Sequence, residues 1–153
     1  MRPRAARRAV DAVRERRAAY GPVVVDASIA VQWFSNEPGS SAAARLLEAD
    51  RPLLAPDLMP VETVSAWWKK VRQGNMEVSD LHLALVSLLG LDIELASGVS
   101  LLPHAARLAL DGGHSVYDCL YLALALNKGA ELATDDRALK RAAARLVIPV
   151  WEP

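Results

Sequence analysis

One cysteine, one phenylalanine and three histidines are the scarcities of this 153-residue chain. A single cysteine, Cys119, excludes an internal disulfide and fits a reducing, cytoplasmic setting. The histidines His82, His104 and His114 show no metal-ligand spacing and read as surface or helix-end residues. Aromatic residues make up only 5%, so the core must be mostly Ala, Leu and Val. The longest unbroken apolar run, Cys119 to Leu126, is far too short to span a bilayer. No apolar stretch follows the Arg-rich start, so it does not read as a secretory signal. Formal net charge is zero, which gives no overall nucleic-acid signal.

What is present is a core of ordinary size. At 52% hydrophobic and 24% charged, the chain fits one globular domain and not a disordered one. Its charge is unevenly spread. Residues 1–20 carry seven Arg against Asp11 and Glu15, while the remainder is net negative by five. We read 1–20 as a solvated or frayed basic arm, with steering of RNA as its functional alternative. Residues 21–153 form the domain.

Along that domain strands and helices alternate. Strands are expected at Pro22–Val25, Pro52–Ala55, Leu91–Leu95, Glu131–Thr134 and Val147–Val150. Helices are expected at Ser28–Phe34, from Ser40 or Ser41 to Ala49, at Leu58–Gln73, Ser79–Leu89, Ser100–Leu110, Ser115–Asn127 and Asp136–Ala144. Asp57 is read as the cap of the Leu58 helix, with Val61, Val64, Trp68 and Val71 as its apolar stripe. Trp33, Phe34, Trp67 and Trp68 are read as core. The alternation implies an α/β fold: a single three-layer domain whose parallel sheet of four to five strands is flanked by helices. Ligands then bind beyond the carboxyl ends of the strands.

Four acids stand out against that frame, each with a local alternative. In VVVDAS, Asp26 ends the first strand, where it would serve equally as a helix cap. Glu62 lies in a first helical turn, which also suits the helix dipole. Asp118 interrupts an apolar helix, SVYDCLYLALAL, and reads as a buried carboxylate. A capping box with Ser115 is its alternative. Asp135 and Asp136 follow the strand Glu131–Thr134, where one of them, or Thr134, should cap the next helix. Taken together, the acids lie on elements that reach one sheet edge. Carboxylates brought to about 4 Å repel by roughly 4 kcal/mol per pair at an effective dielectric of about 20, so such a cluster calls for a cation. Oxygen donors without His or Cys suit Mg²⁺ or Mn²⁺ better than Zn²⁺.

The ordered set VVVDAS, PVETVSAWWKK, SVYDCLYLALA and LATDDRALK resembles the PIN domain, and within it the VapC-type toxins, from about Pro22 to Val150. The resemblance implies an acidic quartet of Asp26, Glu62, Asp118 and Asp136. The last motif of the family reads T-x-D, here Thr134-Asp135-Asp136. Ser28 and Thr134 match positions that support the acidic site, and Asp135 lies between. The resemblance further implies an Mg²⁺-dependent endoribonuclease, with Mn²⁺ able to substitute, acting on tRNA or ribosomal RNA. It implies a VapB-like antitoxin as partner and a homodimer. The metal would bind Asp26, Asp118 and Asp136, with Glu62 direct or through water. Lys69, Lys70 and Arg72 are candidates for holding the RNA backbone, or else an exposed helix face.

Other readings are weaker. A phosphatase with an aspartyl nucleophile wants a second Asp two residues after the first, where this chain has Ser28. A receiver-like Mg²⁺-binding regulatory domain wants an Asp ending a central strand and a Lys ending a later one. The strand Leu91–Leu95 ends without such an Asp, and Val147–Val150 without the Lys. A PIN-like binding module with weak or no activity is the remaining alternative.

Overall fold

A computed structural model describes residues 20–153 together with Arg7, Arg8, Asp11, Ala12 and Glu15. The rest of the basic arm lies outside the described residues. Within the described chain β1 (Val23–Val25), β2 (Leu53–Pro56), β3 (Ile93–Ala96) and β4 (Glu131–Ala133) form one sheet in the order β3-β2-β1-β4. All three pairings are parallel, with Val23 opposite both Leu53 and Glu131. Seven helices follow in chain order: α1 (Ala27–Trp33), α2 (Ser40–Glu48), α3 (Met59–Arg72), α4 (Val78–Leu89), α5 (Gly98–Gly112), α6 (Val116–Lys128) and α7 (Arg137–Arg145).

The three valines of β1 are fully buried because helices cover the sheet on both sides. Alternation along the strand divides them. Val24 joins the larger core with Leu54, Trp67 and Leu122, while Val23 and Val25 join a smaller one with Ile29, Ala43 and Leu46. From β1 the chain steps to β2 and β3, then returns past β1 to form β4. The direction of winding therefore reverses between β1 and β4, where an open α/β sheet leaves a crevice at its carboxyl edge.

Several expectations are corrected. The final strand at 147–150 reduces to a single bridge between Leu132 and Val150. The N–H groups of Val147 and Ile148 are used in closing α7, and Pro149 has none to give. Asp57 does not cap α3, whose N-cap position is Leu58. Its Oδ1 accepts from the N–H of Gly98, 2.9 Å away and 41 residues on, tying the end of β2 to the start of α5. A Cβ at Gly98 would lie 2.8 Å from that oxygen, so the approach depends on glycine. The buried stripe of α3 is Met59, Thr63 and Trp67, a rotation from the expected one. Thr63 tolerates full burial because its hydroxyl donates to the Met59 carbonyl at 2.9 Å. Val61 and Trp68 point to solvent. Trp33 and Phe34 pack against the core as expected, and Phe34 meets Trp67 edge to face. No helix among the described residues is long and apolar enough to cross a membrane.

Candidate active site

Asp26 follows the last residue of β1 and takes the N-cap position of α1, but its side chain makes no capping hydrogen bond. Its Oδ2 accepts instead from two hydroxyls, Ser28 Oγ at 2.6 Å and Thr134 Oγ1 at 2.7 Å. Thr134 follows β4, the neighbour of β1, so the sheet order is what joins residues 108 positions apart. The same two hydroxyls secure the loop after β4. Thr134 accepts from the N–H of Asp136 at 3.0 Å, and Ser28 from that of Asp135 at 2.9 Å. Asp26 is only 9% exposed, and burial pushes its carboxyl above the ordinary range although both hydroxyls pull the other way.

Glu62 projects from the first turn of α3. Its Oε2 accepts from the Tyr121 phenol of α6 at 2.5 Å. Burial raises the Glu62 carboxyl above its usual range. The Tyr121 hydrogen bond opposes that, and the negative charges of Asp26 and Asp118 add to it. Glu62 thus lies close enough to Asp26 and Asp118 to feel both charges. Burial also lifts Tyr121 far above the ordinary phenol range, which keeps it a donor.

Asp118 is half-buried rather than enclosed in the α6 core. Its N–H donates to Ser115 Oγ at 3.1 Å, the forward half of the expected capping box. Asp136 is exposed and caps α7, its Oδ1 accepting from the N–H of Leu139 at 2.8 Å. Asp135 is held by Gln32 Nε2 at 2.5 Å. Among the described residues no three His, Cys, Asp or Glu side chains are gathered tightly enough to cage an ion as they stand. The oxygens of Asp26, Glu62 and Asp136 are each fixed on one side by a protein hydrogen bond. Such preset carboxylates are the donors a hard cation requires.

Tyr121 is the site residue that sequence reasoning passed over. Its signal was present: it lies three residues after Asp118, hence on the same helix face, and is a polar-tipped residue in an otherwise apolar run. Gln32, buried against Asp135, was missed as well.

Glu62 opens onto a trough of about 550 Å³ along α3, lined also by Ser65, Lys69, Lys70 and Gln73. Lys70 is ion-paired with Glu37, and Arg72 lies over the Trp68 ring, 5.3 Å from its centroid. A larger concavity of about 620 Å³ lies between Phe34–Glu37 and α4 and holds none of the four acids.

A family model described as the PIN domain matches residues 23–145. This chain belongs to the PIN domain family. Within that family it is 33% identical over 129 residues to Ribonuclease VapC3 of Pyrobaculum aerophilum, covering 83% of this chain and 98% of the relative. Solved PIN-like folds superpose on it. Mycobacterium tuberculosis VapC20, a sarcin–ricin loop cleaving toxin, does so with a TM-score of 0.67 at 16% identity, over 86% of this chain and 99% of that one. The Rickettsia felis VapBC2 complex, bound to a DNA fragment from its promoter, gives a TM-score of 0.58 at 12% identity, over 85% of this chain and 97% of that one.

Proposed function

We propose that this PIN domain protein is an endoribonuclease of the VapC type, dependent on Mg²⁺ or Mn²⁺, and the toxin of a toxin–antitoxin pair. The observation that carries the reading is the placement of Asp26. It is a buried carboxylate at the carboxyl edge of β1, oriented by Ser28 and Thr134 instead of capping its own helix, and near enough to Glu62 for its charge to help raise that carboxyl. Kinship with Ribonuclease VapC3 over nearly that protein's whole length supports RNA as the substrate.

Asp26, Glu62, Asp118 and Asp136 would hold the ion. Magnesium retains several waters and takes one or two carboxylates directly, so a loose acidic set suits it. When bound, such an ion lowers the pKa of water and offsets charge on a phosphate oxygen. The chain's own residues do the rest. Ser28 and Thr134 keep Asp26 in one orientation, and Tyr121 does the same for Glu62. Lys69, on the trough that begins at Glu62, attracts the phosphate backbone toward a site that is otherwise acidic. A VapB-like antitoxin is the proposed partner, by kinship with toxins crystallised in such complexes, and a homodimer the proposed assembly.

The test is incubation of the purified protein with total RNA, with and without Mg²⁺, and mapping of the cut ends. Cleavage that needs the ion, leaves 5′-phosphates and disappears in Asp26→Asn is expected. Cleavage undiminished by EDTA or by that substitution refutes the reading. Binding without turnover identifies an inactive PIN module.

A further inference from the structure

Two adjacent tryptophans on α3 have opposite fates. Trp67 is fully buried, its indole N–H donating to the Val31 carbonyl at 3.3 Å. Trp68 is 51% exposed, and Val61, about two turns earlier on the same stripe, is 64% exposed. An indole left in water on the helix that carries Glu62, on the side of the trough residue Val61, is poorly explained by packing, because the core is complete without it.

Its surroundings narrow the partner. The last turn of α3 carries Lys69, Lys70 and Arg72 and no acid. Lys70 is committed to Glu37, but Lys69 and Arg72 pair with no carboxylate among the described residues. Arg72 sits over the Trp68 ring as a cation on an aromatic face. Lys69 is seven residues from Glu62 and so on nearly the same helix face, about 10 Å further along the axis. Ser65 supplies a hydrogen-bonding group in between, and Gln73 one a turn beyond Lys69. A flat aromatic ring flanked by unpaired cations, leading away from an acidic site, is the composition of a single-stranded nucleic-acid path: bases stack on the ring and phosphates meet the cations. A protein partner would be expected to answer these cations with carboxylates and to bury Val61 with the indole. The net-negative remainder of this chain makes the local positive stripe the more distinctive feature.

We infer that Trp68, with Arg72 and Lys69, forms a base-stacking subsite that binds one unpaired nucleobase of the RNA beside the acidic site. This rests on the ribonuclease reading, deepening it by naming residues that select an unpaired, stackable base. The subsite is separable from chemistry, since none of the three is part of the acidic set.

The test uses Asp26→Asn as a non-cleaving background, with a short fluorescein-labelled single-stranded RNA of mixed sequence as probe. Adding Trp68→Ala should weaken binding at least about fivefold with little change in salt dependence, and Trp68→Phe should restore most of it. Adding Lys69→Ala should reduce the slope of log affinity against log salt by about one. Unchanged binding by Trp68→Ala overturns the subsite. A change in oligomeric state on gel filtration accompanying the loss overturns it too, and assigns Trp68 to a protein interface. Residual cleavage in the Asp26→Asn background counts against the ribonuclease mechanism alone, and the binding comparison is read separately.

Discussion

The phenol of Tyr121 on α6 donates to the carboxylate of Glu62 on α3, 59 residues away in the chain, across the carboxyl edge of the sheet. This contact fixes which way Glu62 presents itself to Asp26 and Asp118. Partners of this kind around metal-binding carboxylates typically contribute tenfold or more to affinity. Tyr121→Phe should therefore weaken Mn²⁺ binding about tenfold, as read by titration calorimetry, while circular dichroism stays native because the ring still fills its place. Unaltered Mn²⁺ affinity would leave Tyr121 a packing residue only.

Burial makes the Asp26 and Glu62 carboxylates cost stability at neutral pH when no cation is supplied. Burial raises Asp26 above its ordinary value of 3.8, and burial with neighbouring charge raises Glu62 above 4.5. A carboxyl raised in the folded state binds its proton more tightly there than in the unfolded chain. Its stabilising contribution is thus complete below those ordinary values and is lost as pH rises through the folded ones. In EDTA, Asp26→Asn should melt a few degrees above the parent chain at pH 7–8, with the gap closing as pH falls toward 4. A gap that widens on acidification would contradict the stated burial cost.

Divalent ions should reverse that order. An ion that binds only the folded protein adds about 2.7 kcal/mol at one hundred times its Kd, or roughly 5–10 °C for a chain of this size. Saturating Mg²⁺ or Mn²⁺ should raise the melting temperature of the parent accordingly and that of Asp26→Asn or Asp118→Asn little. Equal shifts in all three would place the ion elsewhere.

Asp136 has a local duty that separates cleanly from any role at the site. Asparagine caps a helix as well as aspartate, whereas alanine costs about 1 kcal/mol. Asp136→Asn should keep the thermal stability and lose metal-dependent cleavage, while Asp136→Ala should lose both. Full cleavage by Asp136→Asn would reduce this residue to the cap of α7.

The legible part of the fold was its punctuation. The valine run of β1, the Gly and Ser residues at helix ends and the alternation of segments mark a parallel α/β sheet, because each is a short-range preference written in neighbouring residues. The four candidate acids were singled out by the resemblance of their ordered motifs: Asp26 and Asp136 stand at element boundaries that the sequence announces, and Glu62 and Asp118 lie in first helical turns. Where periodicity was ambiguous the reading slipped, as when α3 turned Trp67 inward and Trp68 outward.

Tertiary structure decided what those residues do. Asp26 is released from capping because Thr134 arrives from a strand 108 residues later. Asp57 leaves its own helix for Gly98, and Glu62 finds Tyr121 across a helix pair. A side chain's hydrogen-bonding capacity is set by its chemistry, but which partner wins depends on desolvation and reach in the packed molecule. The sequence alone thus determined the alternating elements and the carboxylates near their ends, and only the order of strands in the sheet brought Thr134 onto Asp26.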